Sequence, residues 1–142
     1  MEIESVILKI KFIYMNTKYM EWVLRVSVFG TFFGHGVLAL QGKQEWIRWI
    51  MDFGGWEPVV ASKLLFAVGV LDVLVALSAL LKPVRAVLLW AMLWAFWTSF
   101  MRVLPFIGGP VWDFVERWAS IGAPLALLLL YGWPTTLREW FR

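Results

Sequence analysis

Four stretches of this sequence, residues 22–40, 59–81, 84–104 and 111–131, are long and apolar enough to cross a bilayer core, which takes about 20 residues as helix. Nothing else in the chain constrains its fold as tightly. Of its 142 residues 61% are hydrophobic and 16% charged, with a mean hydropathy of +0.74. A soluble domain of this size leaves too much of its surface in water to hide that much apolar material. The expected fold is all-α: a membrane-embedded four-helix bundle filling one domain, without room for a separate soluble module.

The breaks between segments fit that expectation. Lys82-Pro83 separates the second segment from the third, and Pro105-Phe106-Ile107-Gly108-Gly109-Pro110 separates the third from the fourth. Both connections are short, so the helices they join should be antiparallel neighbours. The longest connection, 41–58, interleaves Trp46, Ile47, Trp49, Ile50 and Phe53 with Lys43, Glu45, Arg48 and Asp52 before Gly54-Gly55. That alternation predicts a short amphipathic helix between the first and second transmembrane helices. Residues 1–19 read as a separate N-terminal segment, amphipathic or poorly ordered. Ile3, Val6, Ile7, Ile10, Ile13 and Tyr14 share a helical face there, although 6–14 also suits a strand. The transmembrane domain then occupies 20–142. Met15 and Met20 are alternative starts, and the acidic opening Met1-Glu2-Ile3-Glu4 argues against a cleaved signal.

Basic residues set the expected orientation. Lys9, Lys11, Lys18, Arg25, Lys82, Arg85, Arg138 and Arg142 collect on one side, and Lys43, Arg48, Lys63, Arg102 and Arg117 on the other. The positive-inside rule places both termini in the cytoplasm of a multi-pass protein of the cell (inner) membrane. Most of the 11 tryptophans, including Trp22, Trp46, Trp49, Trp56, Trp112, Trp133 and Trp140, fall at segment ends, where indole favours the headgroup level. Trp90, Trp94 and Trp97 instead share a face inside the third helix.

Composition excludes several chemistries. Without cysteine there is no disulfide, thiolate ligand or thiol nucleophile. A single histidine, His35, excludes sites needing two imidazoles and gives a serine–histidine–carboxylate hydrolase little support. No metal site is expected and no catalytic residue is assigned. The net charge of +3 contains no basic run, which points to the lipid bilayer as the partner and away from nucleic acid.

Helices in lipid associate through small residues and buried polar contacts, and each segment carries such a stripe. The first has a Gly30-x-x-x-Gly34 step beside Ser27, Thr31 and His35. The second has Gly69, Asp72, Ala76 and Ala79; the third Ala91, Ala95, Thr98 and Arg102; the fourth Asp113, Glu116, Ser120 and Ala123. By depth, Asp72 stands near the bilayer midplane with His35 above it, then Arg102 paired with Glu116, and Arg117 beside them. This intramembrane network of Asp72, His35, Arg102, Glu116 and Arg117 has two readings. An ionisable group at mid-membrane costs about 3 kcal/mol or more and marks a partner or a wet cavity. Equally, His35 can bond a neighbouring helix, Arg102 and Glu116 can form a structural ion pair, and the tryptophan stripe can face lipid or core.

Two runs carry a resemblance to a known family. Residues 112–129, WDFVERWASIGAPLALLL, resemble the last helix of small DoxX-like membrane proteins, and residues 29–40, FGTFFGHGVLAL, resemble their first. The likeness spans about 20–133 and includes the four-helix layout. It implies that architecture, and association with quinone-linked oxidoreductase assemblies, to which some relatives are assigned while many have no assigned activity. His35, Arg102, Glu116 and Arg117 are the positions that carry over.

The leading functional expectation is a small subunit that binds a hydrophobic molecule such as a quinone beside a membrane oxidoreductase or a second copy of the chain. His35 and Arg102 would donate hydrogen bonds to ring carbonyls, and Trp94, Trp97 and Phe100 would wall the ring. Haem is not expected, because one histidine is a thin ligand set. The alternative is a non-catalytic accessory or assembly subunit. A proton-relay or transport element built on Asp72, His35 and Glu116 ranks third, because no inverted repeat links the halves.

Overall fold

The computed structural model describes the backbone of residues 2–141 and the side chains of residue 7 and residues 15–141. The described residues are helical, with no strand. α1 (Glu2–Leu40), α2 (Gln44–Gly54), α3 (Pro58–Leu81), α4 (Arg85–Met101), α5 (Val111–Val115), α6 (Trp118–Leu130) and α7 (Leu137–Trp140) follow in order. α1, α3, α4 and α6 form a closed ring in which α1 packs on α3, α3 on α4, α4 on α6 and α6 on α1. Neighbours run antiparallel. Arg25 of α1 reaches the Leu80 carbonyl at the end of α3 and Tyr131 after α6, while Gly36 meets Gly69 in mid-α3.

Local chemistry fixes the ends. α1 closes in a Schellman motif: Gly42, at φ 69°, donates to Ala39 O and Lys43 to Leu38 O, which satisfies two terminal carbonyls. Pro58 opens α3, where its missing N–H is no loss, and Pro83 prevents α3 from continuing. α2, the expected amphipathic helix, ends at Gly55 in the left-handed region. It buries Ile47 against Ala39, Ala61 and Leu65.

Three boundaries differ from the sequence reading. α1 continues without a break through the expected boundary at residue 19, because nothing in 2–29 (neither proline nor glycine) interrupts the ladder. The apolar face proposed for that stretch lies, Ile7 apart, outside the described side chains. The third segment leaves the helix at Met101 and not at residue 104. Arg102, Val103 and Leu104 donate three residues back, to Ser99, Phe100 and Met101, tightening the chain ahead of Pro105. The fourth segment is two helices. Arg117, at φ −92° and ψ 4°, donates its N–H to Phe114, and its guanidinium takes the Asp113 carbonyl so released, at 3.1 Å. Further along, Pro124 leaves the Ser120 carbonyl without its helical donor.

Small residues bring the helices together, though at other glycines than the motif suggested. Gly30 and Gly34 are exposed and face open space. The close approach is Gly36 against Gly69: a Cβ on Gly36 would stand 2.8 Å from Val73 Cγ2, and one on Gly69 2.9 Å from the Leu40 backbone nitrogen. Above it the core is Val28, Phe32, Val75, Ala76, Ala79, Leu88, Ala91, Ala95, Leu127 and Leu128. The outer surface is apolar. Two helical spans, Met15–Leu40 and Pro58–Leu81, are long and apolar enough to cross a membrane, yet only 22% and 33% of their most apolar windows are buried.

Gly69→Val should destabilise the fold by about 1–3 kcal/mol through overpacking. Gly34→Ala, made in open space within a helix, should be neutral or stabilising by about 0.5–1 kcal/mol. Thermal melts followed by circular dichroism compare the two; equal losses would mean that the Gly36–Gly69 crossing does not set the α1–α3 distance.

Candidate functional site

At the end of the ring capped by α2, the helices enclose a cavity of about 160 Å³. An apolar cavity of that order holds one benzene-sized ring. α1 contributes Thr31, Phe32 and His35; α2 contributes Trp46, Trp49 and Ile50. α3 supplies Leu65, Val68 and Asp72; α4 supplies Trp94, Ala95, Thr98, Ser99 and Met101. Arg102, Arg117 and Ser120 complete the wall. Their spacing explains the convergence. Leu65, Val68 and Asp72 lie on one face of α3, as do Trp94, Ala95, Thr98 and Ser99 on α4, at steps of three and four.

The polar groups differ in how they are held. His35 Nδ1 stands 2.9 Å from Thr31 O. A carbonyl can only accept, so Nδ1 carries the proton and the neutral ring leaves Nε2 as an acceptor. In that neutral form His35 would accept from a ligand, where the sequence reading has it donate. Its ring also stacks on Trp46, with centroids 5.7 Å apart. Arg102 does not pair with Glu116. Its guanidinium lies over the Trp49 ring at 4.9 Å, while Glu116 binds Arg117 at 2.7 Å. The helix break turns Glu116 outward, away from the cavity that Arg117 lines.

Asp72 is only 4% exposed, faces the Trp94 side chain, and makes no ion pair among the described residues. Its Oδ1 is buried without a hydrogen-bond partner, and so is Trp46 Nε1. Both residues belong to the cavity lining, but these two atoms are themselves sealed by the surrounding protein. A buried polar atom left this way costs about 1–3 kcal/mol.

Of the residues expected to bind a ligand, His35, Arg102 and Trp94 line the cavity, as do Asp72 and Arg117 of the network. Trp97 and Phe100 stand outside it. Trp97 packs edge-on to Phe53 at 6.1 Å, and Phe100 stacks on Phe96 and meets the edge of Phe114, because the cavity takes the side of α4 that carries Ala95, Thr98 and Ser99, with Trp94 at its edge. Sequence reasoning assigned Trp46 and Trp49 to the interface and missed their part in the wall. Their shared face with Ile50 on an amphipathic helix was the available signal. It also missed a second cluster, at the opposite end, where the Tyr131 hydroxyl donates to Glu21 at 2.6 Å and accepts from Arg25 at 2.9 Å. There the i, i+4 spacing of Glu21 and Arg25 was the hint.

Among the described residues no group of three or more His, Asp or Glu side chains could hold a metal ion. No protein-family model, no curated protein and no solved structure matches the chain, so the cavity's geometry carries the functional argument.

Asp72→Leu should raise stability by about 1–3 kcal/mol, since it removes an unpartnered buried oxygen and places apolar volume beside a void. Thermal melts of the purified variant test this. A loss of similar size would identify Asp72 as a satisfied structural partner instead.

Proposed function

We propose that the chain is a multi-pass membrane protein, four helices deep, that binds the ring of a quinone-class molecule in its cavity on behalf of a membrane oxidoreductase. The outward surface supports the membrane setting. Two long apolar helices leave two thirds or more of their best windows unburied, which a soluble core helix would not do. Arg25, Lys82 and Arg85 cluster at the end opposite His35 and α2, and that end is the cytoplasmic one on the positive-inside rule. The DoxX-like resemblance of residues 29–40 and 112–129 points the same way.

A single observation carries the ligand: a ring-sized, mainly apolar cavity with His35, Asp72, Trp46, Trp94 and Arg102 in its lining. Small-molecule sites have this make-up, apolar walls with a few polar groups that fix orientation. A quinol hydroxyl both donates and accepts, so it would donate to His35 Nε2 or the Asp72 carboxyl and accept from Arg102. A quinone carbonyl would only accept, from Arg102. The acceptors favour the reduced ring, the quinol.

The accessory-subunit reading draws on a different observation. His35 and Arg102 are already covered by Trp46 and Trp49, as pure packing would have them.

Trp46, Trp49 and Trp94 line the cavity, so a bound ring should quench their fluorescence. Titration of the detergent-purified protein with a short-chain ubiquinone should give saturable quenching, and the quinol should compete more strongly. Thr98→Phe, which fills the cavity from an exposed lining position, should weaken binding at least about tenfold, or about 1.4 kcal/mol. Linear, non-saturating quenching that is equal in both proteins would leave the accessory subunit as the function.

A further inference from the structure

The end of the ring opposite the cavity carries an open cleft of about 540 Å³, lined by Arg25, Lys82, Arg85, Tyr131 and Glu139 together with Leu81 and Pro83. Its charges are unevenly satisfied. Arg25 is neutralised by Glu21 and held by the Tyr131 hydroxyl. Among the described residues Arg85 has no carboxylate partner; it donates to the backbone carbonyls Tyr131 O at 2.7 Å and Glu139 O at 3.1 Å, and its Nε is buried without a partner. Lys82 is exposed, and its ammonium makes no hydrogen bond or ion pair among the described residues, its backbone alone bonding Ser78.

The one acid in the cleft is already engaged. Glu139 Oε2 accepts the Thr135 backbone N–H at 2.8 Å and the Thr135 hydroxyl at 3.3 Å, bonds that hold its carboxyl below the usual range. The Glu21 and Glu139 carboxylates thus answer two of the three cations and leave about one positive charge over. The donor that remains open is the Lys82 ammonium, with the Arg85 charge held beside it, and this suits a phosphate oxygen. The site lies where α3 ends at Leu81 and α4 begins at Arg85, which is headgroup depth for a bundle that spans the bilayer.

We propose that this cleft binds a phosphate monoanion presented by the headgroup of an anionic phospholipid in the cytoplasmic leaflet. The inference rests on the membrane reading above and is independent of the quinone cavity at the other end. Basic pockets between membrane helices take anionic headgroups in this way. A lipid with a net negative headgroup balances the surplus cation. A zwitterionic one brings its own cation and gains less.

Native mass spectrometry of the detergent-purified protein, offered equal phosphatidylglycerol and phosphatidylcholine, tests the proposal. Wild type should retain one phosphatidylglycerol per chain, in preference to phosphatidylcholine by about tenfold, and Lys82→Glu should remove that preference. The Lys82 side chain makes no hydrogen bond or ion pair among the described residues, and Lys82→Arg should keep the preference. Equal retention of both lipids, or an unchanged preference in Lys82→Glu, would overturn the site. Displacement of the lipid by millimolar inorganic phosphate would overturn the headgroup assignment in favour of a soluble anion. A protein that stays monodisperse once detergent is removed would overturn the membrane reading itself, whereas lost lipid preference with saturable quinone quenching would overturn this cleft alone.

Discussion

The arrangement depends on how closely α1 and α3 approach at Gly36 and Gly69, where neither helix has space for a Cβ. That distance fixes the neighbours of both glycines. His35 precedes Gly36 in the chain, and Asp72 follows Gly69 by one step of the same helical face, so a crossing made from glycine sets two polar side chains at one cavity. α4 and α6 then pack through Ala91, Ala95, Leu127 and Leu128. Small residues at these contacts are what helices use when burial from water gives no drive toward each other.

Polar satisfaction is distributed unequally between the two ends. At the Arg25 end, Glu21, Arg25 and Tyr131 form a closed network, and at the cavity end Asp72 Oδ1 and Trp46 Nε1 stay unmet. A protein selected only for stability would fill that cavity with apolar side chains. The aromatic residues of α2 complete the contrast. They cover His35 and Arg102 while leaving a ring-sized space between α2 and the deeper carboxyl.

Period and punctuation made much of this legible in the sequence. Hydropathy located α3 nearly to the residue, the amphipathic pattern located α2, and Gly69, Asp72, Ala76 and Ala79 are all buried as one stripe. Three features were less accessible. A Gly-x-x-x-Gly spacing says which residues are small but not which way they face, so Gly30 and Gly34 were chosen over Gly36. The break at Glu116-Arg117 carries no proline or glycine; what it has is an arginine whose side chain replaces a lost backbone donor, and hydropathy does not register that. The Arg102–Glu116 pairing failed for the same reason, since the break decides where Glu116 points. Trp97 was grouped with Trp94 by their shared helical face and Phe100 by its aromatic ring, whereas the cavity meets α4 on the Ala95, Thr98 and Ser99 side of Trp94.

The interruption between α5 and α6 also has a mechanical meaning. A helix bends most cheaply where its ladder of carbonyls and amides is already incomplete. Here one such gap, bridged by the Arg117 side chain, stands in the wall of the cavity itself, and a second follows at Pro124. Three of the four walls are uninterrupted rods over the cavity's length, and the fourth is jointed. Compliance is therefore local. A ring could pass in or out by flexing one articulated side, while the glycine crossing of α1 and α3 keeps its spacing.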